Sequence, residues 1–290
     1  MSFRVSFAGV ALAACMAVAP LTPAHAQDRQ PASAAFASGA KVVSLTAPDG
    51  RRIELSVWHA QRERGVVIFS HGFTGEPAAY NRIMAEWVEA GFTIVAPLHV
   101  DSLRHPERAA YDGMAVFATR LTDLAVARAY IKVNMPGKPL VAAGHSFGSL
   151  MSLIEGGAVT VAGPLGDPAV KAIVAFSSPG DAQGAVLPET YGAVRIPVLM
   201  ITGDGDLVPG LVSDWQTHRR PFDRSAPGDK FLLVFGGGNH SLVSNANEVD
   251  FDLIDRMTTD FLEAYGLEDA AARSRLQSLT PHERVSLERR

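Results

Sequence analysis

A mostly parallel α/β sheet with helices on both faces is the fold class this sequence predicts, and three observations predict it. First, short continuous apolar runs recur at 66–70 (VVIFS), 92–96 (FTIVA), 139–143 (PLVAA), 170–176 (VKAIVAF), 196–202 (IPVLMIT) and 230–235 (KFLLVF). Second, helical stretches separate and follow them near 77–90, 112–134, 147–158, 211–219 and 249–265. Third, two alternating segments, "KVVSLTAP" and "RRIELSVWHA", flank Asp49-Gly50 ahead of the rest. Strands without polar alternation are buried on both faces, so helices must cover them above and below. An Asp-Gly pair between alternating runs signals an antiparallel hairpin, which gives the sheet an antiparallel N-terminal edge.

The chain has 290 residues, 47% of them hydrophobic and 19% charged, enough for one domain with a sizeable core. Its net charge of −4 lacks the basic footprint of a nucleic-acid partner. The first element is a targeting segment. Residues 1–26 carry Arg4, an apolar run from Val5 to about Leu21 and "AHA" before Gln27, the pattern of a secretory signal peptide cut after Ala26. The run contains Pro20 and is short for a membrane span. The expected location is therefore periplasmic or secreted. "LAAC" at 12–15 also fits a bacterial lipobox with Cys15 as the lipidated residue; the apolar continuation and the later cleavage site favour ordinary export. Cleavage would remove Cys15, the single cysteine, and with it any disulfide or cysteine nucleophile. Residues 27–40, "QDRQPASAAFASGA", read as a disordered lead-in.

The domain proper is expected over 41–265. Strand 139–143 runs into Gly144-His145-Ser146-Phe147-Gly148 and then an apolar helix. Glycines two residues either side of Ser146 remove Cβ atoms that would clash where a strand turns abruptly into a helix, leaving Oγ projecting from the strand end. A serine hydroxyl needs a base to take its proton and a third group to orient that base. In a doubly wound sheet both come from later strand ends, since the crevice lies outside the carboxyl edge. The strand at 196–202 is followed by "GDGDLVP", with Asp204 and Asp206; the strand at 230–235 is followed by "GGGNHSLV", with His240.

With HGFTG, GHSFG, GDGDLVP and GGNH in that order, residues 41 to 265 resemble the α/β-hydrolases. The runs "SHGFTGEPAAYNRIMAEWVEAGFTIVAP" and "PGDKFLLVFGGGNH" are most similar to dienelactone-hydrolase-like serine esterases, the neighbourhood of platelet-activating-factor acetylhydrolases and cutinase-like polyester hydrolases. That resemblance implies ester hydrolysis by Ser146, His240 and an aspartate. The family's Gly-x-x-Asp spacing selects Asp206 over Asp204, for which a turn role is the alternative. It also implies an oxyanion hole from the backbone N–H groups of Phe73 and Phe147. True dienelactone hydrolases carry cysteine at the elbow, and Ser146 points away from their reaction. Ser149 departs from the further glycine many relatives have there. No cofactor and no metal is implied, and the partner is a small-molecule or polymeric ester. A non-catalytic binding protein on the same fold is the reading of another class.

The remaining candidates read as structural. His145 is expected to pack the elbow, and His99, Asp101 and His105 to be loop residues without metal-ligand spacing. Trp87 and Trp215 are expected to pack from helices, Trp58 lies on the hairpin, and Gly236–Gly238 lacks a dinucleotide fingerprint. Residues 266–290 are expected as a helical appendage, with Thr280, Pro281 and Glu283 starting a surface helix.

Overall fold

The computed structural model describes residues 39–180, 186–187 and 189–290. The expected signal peptide, Cys15 and residues 27–38 of the lead-in lie outside the described residues. The hairpin is strands β1 (Lys41–Thr46) and β2 (Arg52–Trp58), antiparallel with Lys41 opposite Val57. Next come β3 (Gly65–Ser70), helix α1 (Asn81–Glu89), β4 (Phe92–Leu98) and helix α2 (Gly113–Asn134). They lead into β5 (Leu140–His145) and helix α3 (Phe147–Glu155). A two-stranded ribbon, β6 (Val159–Thr160) and β7 (Gly163–Pro164), precedes β8 (Val170–Phe176) and β9 (Val198–Gly203). Helix α4 (Arg220–Arg224) and β10 (Lys230–Phe235) follow, then α5 (Leu242–Asn245), α6 (Glu248–Phe261), α7 (Ala270–Ser278) and β11 (Val285–Arg289).

The main sheet has nine strands in the order β1-β2-β4-β3-β5-β8-β9-β10-β11. The six strands from β4 to β10 in that order pair in parallel, and antiparallel pairs close both edges. Strands β3, β5, β9 and β10 are buried at every position. This is why their sequences show continuous apolar runs, and two cores account for it. One lies beneath α1, α6 and α7, where Trp87, Phe69, Phe176, Phe231 and Met257 meet. The other lies beneath α2 and α3, with Leu124, Ala127, Leu150 and Leu153 against Ile68, Ala142 and Ile173. Trp87 is wholly buried and donates its indole N–H to Thr258 at 2.9 Å, and Trp58 is buried on β2.

Two expectations are corrected. Residues 211–219 form no continuous helix: Trp215–Arg219 is a 3-10 turn running into α4, and Val212 bridges back to Val208. The C-terminal segment is not an appendage ending in a helix. After α7, Val285–Arg289 adds to the sheet as β11, with Val285 opposite Phe235. Ala272, Leu276 and Val285 join the core, so the domain extends past 265. The capping signals at Thr280 and Glu283 lost to a non-local gain, the unpaired edge of β10, which one alternating strand satisfies.

Candidate functional site

Construction begins at the elbow. Ser146 has φ 52° and ψ −122°, a conformation costly for a residue with a Cβ. It persists because the surroundings fix it: the Ser146 N–H donates to Phe176 O at 2.9 Å, and its carbonyl accepts from Ser149 Oγ at 2.7 Å. A Cβ on Gly148 would lie 1.9 Å from Ser70 O, and one on Gly144 would lie 2.4 Å from Gly148 O. Both elbow glycines are therefore demanded by packing of the turn against β3. Ser149 fits without a glycine, since its hydroxyl is absorbed by the turn.

The loops after β9 and β10, which carry Asp206 and His240, are brought together in the same way. A Cβ on Gly203 would lie 2.2 Å from Gly238 O, so the ends of β9 and β10 touch backbone to backbone. Beyond that contact, Asp206 Oδ1 lies 2.7 Å from His240 Nδ1. Asp206 is fully buried and also accepts from Thr202 Oγ1 at 2.8 Å. Burial alone would raise its carboxyl, but hydrogen bonds from His218 and His240 hold it far below the usual carboxylate range. Asp204 does something else. It is exposed, and its Oδ1 accepts the Gly237 N–H at 2.6 Å, pinning the turn after β10.

Phe147 opens α3, so its N–H has no intrahelical acceptor. Among the described residues the Phe73 N–H has no acceptor either. The two rings meet edge-on at 6.5 Å, and Gly72 lies against Ser146, a Cβ there reaching 3.5 Å from Ser146 Cβ. The loop carrying Phe73 is held by groups whose roles the sequence did not reveal. Arg120, wholly buried on α2, donates to His71 O at 2.7 Å and Gly72 O at 3.2 Å. The same guanidinium grips Asp101 at 2.8 and 2.7 Å and stands over the Phe147 ring. Asp101 Oδ2 in turn accepts the Thr74 N–H at 3.0 Å. Burial would raise the Asp101 carboxyl, but Arg120 brings it to about 2. His99 and Asp101 are thus buried anchors, a correction to their expected place on a loop surface.

His145 joins the two halves. The Gly72 N–H donates to Tyr80 Oη at 3.1 Å, and that hydroxyl lies 2.9 Å from His145 Nδ1. His145 Nε2 lies 2.8 Å from His240 O, the geometry of a donated N–H. Burial, with the charge of His240 next, lowers His145 to about 4, so it stays neutral and does not compete as a base. A cleft of about 170 Å³ opens beside Phe73, between Asp101, Arg108, Tyr111, Asp112 and Val116.

Ser70, His99 and Asp123 form a hydrogen-bonded Ser-His-Asp relay of their own. Ser70 Oγ is 2.9 Å from His99 Nε2, and His99 Nδ1 is 2.8 Å from Asp123 Oδ2. Ser70, His99 and Asp123 are at most 1% exposed, so no substrate reaches them. Asp206, His218 and His240 are the one group among the described residues whose donor atoms cluster closely enough to suggest a metal. Those atoms already face one another as hydrogen-bond donors and acceptors, so the cluster is complete as a proton-bonded unit.

No family model matches the chain, and no curated protein matches it. Solved structures do. An esterase from an Arctic intertidal metagenomic library aligns with TM-score 0.60 and 20% identity, over 78% of this chain and 93% of that one. The esterase domain of a Rhodothermus marinus protein aligns with TM-score 0.55 and 15% identity, over 78% and 98%. A dienelactone hydrolase from Anabaena variabilis aligns with TM-score 0.59 and 14% identity, over 78% and 97%. The chain has the α/β-hydrolase fold. In that fold the turn after β5 with Ser146, the loop after β9 with Asp206 and the loop after β10 with His240 share the carboxyl edge of one sheet.

Proposed function

We propose that the protein is an exported serine esterase. The observation that carries the reading is the Asp206–His240 hydrogen bond of 2.7 Å at the sheet edge where Ser146 sits on a strained elbow. In the proposed cycle Ser146 Oγ attacks the ester carbonyl while His240 Nε2 takes its proton. The Phe73 and Phe147 N–H groups receive the charge that develops on the carbonyl oxygen. Each such donor is commonly worth roughly 3–4 kcal/mol in the transition state. Asp206 accepts the His240 Nδ1–H throughout, fixing the tautomer that leaves Nε2 free to act. The imidazolium then protonates the departing alcohol, and water activated by His240 releases the acid.

The cleft beside Phe73 is small and walled by Asp101, Arg108 and Asp112, which favours a short acyl or alcohol group in it. A fluorophosphonate probe tests the reading directly. It is expected to label wild-type protein at Ser146, and absence of labelling would favour a binding protein instead. A panel of p-nitrophenyl esters of rising chain length is expected to peak at short chains. Export carries its own check: the mature chain is expected to begin near Gln27, and a diacylated Cys15 in its mass spectrum would move the protein to the lipoproteins.

A further inference from the structure

His218 lies in the 3-10 turn Trp215–Arg219 and is wholly buried. Its Nδ1 is 2.5 Å from Ser178 O. Its Nε2 is 3.0 Å from Asp206 O and 3.2 Å from Asp206 Oδ1. The approach is built in: a Cβ on Gly180 would lie 1.8 Å from Thr217 O, so this turn packs directly on the segment carrying Ser178. All three oxygens facing the ring are acceptors. Two are peptide carbonyls, and the third belongs to a carboxylate that already accepts from Thr202 Oγ1 and faces His240 Nδ1. A neutral imidazole has one N–H and one lone pair, so either tautomer would aim its lone pair at an oxygen. Only the doubly protonated ring satisfies both sides.

We propose that His218 is an imidazolium throughout the working pH range, a positioning residue that holds and neutralises the Asp206 carboxylate. The charge balance agrees. Among the described residues, the ion-pair partners of Asp206 are His218 and His240. A buried carboxylate without a fixed counter-charge is strongly disfavoured. Burial would strip the proton from His218, but the hydrogen bond and charge of Asp206 outweigh it and raise its proton affinity.

The consequence concerns catalysis and rests on the reading in which His240 is the base. The titratable groups facing His218 are Asp206 from the loop after β9 and His240 from the loop after β10, with His145 from the end of β5 behind them. On its own element Arg219 is turned away to Glu288. The His218 and His240 rings stack at 6.1 Å. A cation at that range adds positive potential across the pocket that Asp206 and His240 share, which the pH dependence of the reaction reads.

Two measurements test this. Neutron diffraction from wild-type crystals at about pH 8, where an ordinary histidine is neutral, is expected to find hydrogen on both His218 nitrogens. A single hydrogen there overturns the proposal. This measurement needs neither a variant nor any activity, so it stands even if the esterase reading fails. The second is the pH profile of kcat/KM for His218→Gln, which keeps an N–H donor but removes the charge. The acid limb is expected to move up by about one to two pH units. A uniform loss of rate with an unmoved acid limb would make His218 a packing residue and overturn the electrostatic role.

Discussion

The protein contains two sets of serine, histidine and aspartate, Ser70–His99–Asp123 and Ser146–His240–Asp206, and their expected chemistry is opposite. In Ser70–His99–Asp123 every link is hydrogen-bonded, at 2.9 and 2.8 Å. In the outer set the Asp206–His240 link is as short, at 2.7 Å. Among the described residues Ser146 Oγ makes no hydrogen bond to His240, so the serine link already separates the two sets; the Asp–His links do not. Access and surroundings do. Ser70 ends a strand and is buried on all sides, whereas Ser146 is half-buried on a strained turn beside two backbone N–H groups, those of Phe73 and Phe147, that have no acceptor among the described residues. The charges differ as well. Burial drives His99 far below an ordinary histidine, and pushes Asp123 up to about 7 although Arg51 lies 2.6 Å away. Asp206 is held strongly depressed between two histidines. The inner relay fastens β3, β4 and α2; in the proposed cycle the outer set carries a proton.

The largest expected effect contrasts the serines. Ser146→Ala is expected to abolish ester hydrolysis with the circular dichroism spectrum unchanged, and activity above about one percent would remove Ser146 from the mechanism. Next comes the acid. Asp206→Asn is expected to lower kcat/KM by about 10⁴, since the histidine tautomer is lost. Asp204→Asn on the same activated ester should cost little beyond a weakened turn, and a reversed ranking would hand the role to Asp204.

The inner relay should answer in stability instead. Asp123→Ala takes from the buried Arg51 its short ion pair, leaving Asp49 at 3.6 Å, and is expected to cost about 3 kcal/mol. That is a Tm fall of several degrees, with kcat/KM of the folded enzyme near wild type; a large kinetic loss at unchanged Tm would contradict the division of roles.

The two aspartates also differ in sign with pH. Asp206, depressed in the fold, contributes stability that is present above the usual carboxylate range and is lost as pH falls. Asp123, raised to about 7, contributes stability that is full below about pH 4 and is lost as pH rises toward 7. Urea midpoints across pH should thus show the wild-type advantage over Asp206→Asn growing with pH, and that over Asp123→Asn shrinking. Parallel slopes would refute the contrast. Ser70→Ala is the smallest change, about 1 kcal/mol for the buried bonds its hydroxyl makes with His99 and Arg120, with activity retained.

Much of this was written locally in the chain. Strands buried on both faces appear as unbroken apolar runs because no polar residue is tolerated on either side, so all six parallel strands were legible. The elbow was legible because Gly144 and Gly148 stand where a Cβ would meet backbone. Asp204 and Asp206 after β9 and His240 after the last parallel strand were readable by position, and the resemblance to the α/β-hydrolases chose Asp206 between the two aspartates. Each lies a few residues from the strand that positions it.

What tertiary structure alone decided depended on partners distant in sequence. The alternation in "VSLER" counted only once β10 offered an open edge, about fifty residues earlier in the chain. His99 and Asp101 looked like loop residues until Arg120 and Asp123 arrived from α2 to bury them. His218 carries no motif at all. Its significance comes from three oxygens supplied by Ser178 and Asp206, and sequence does not specify a buried charge until the fold has chosen what surrounds it.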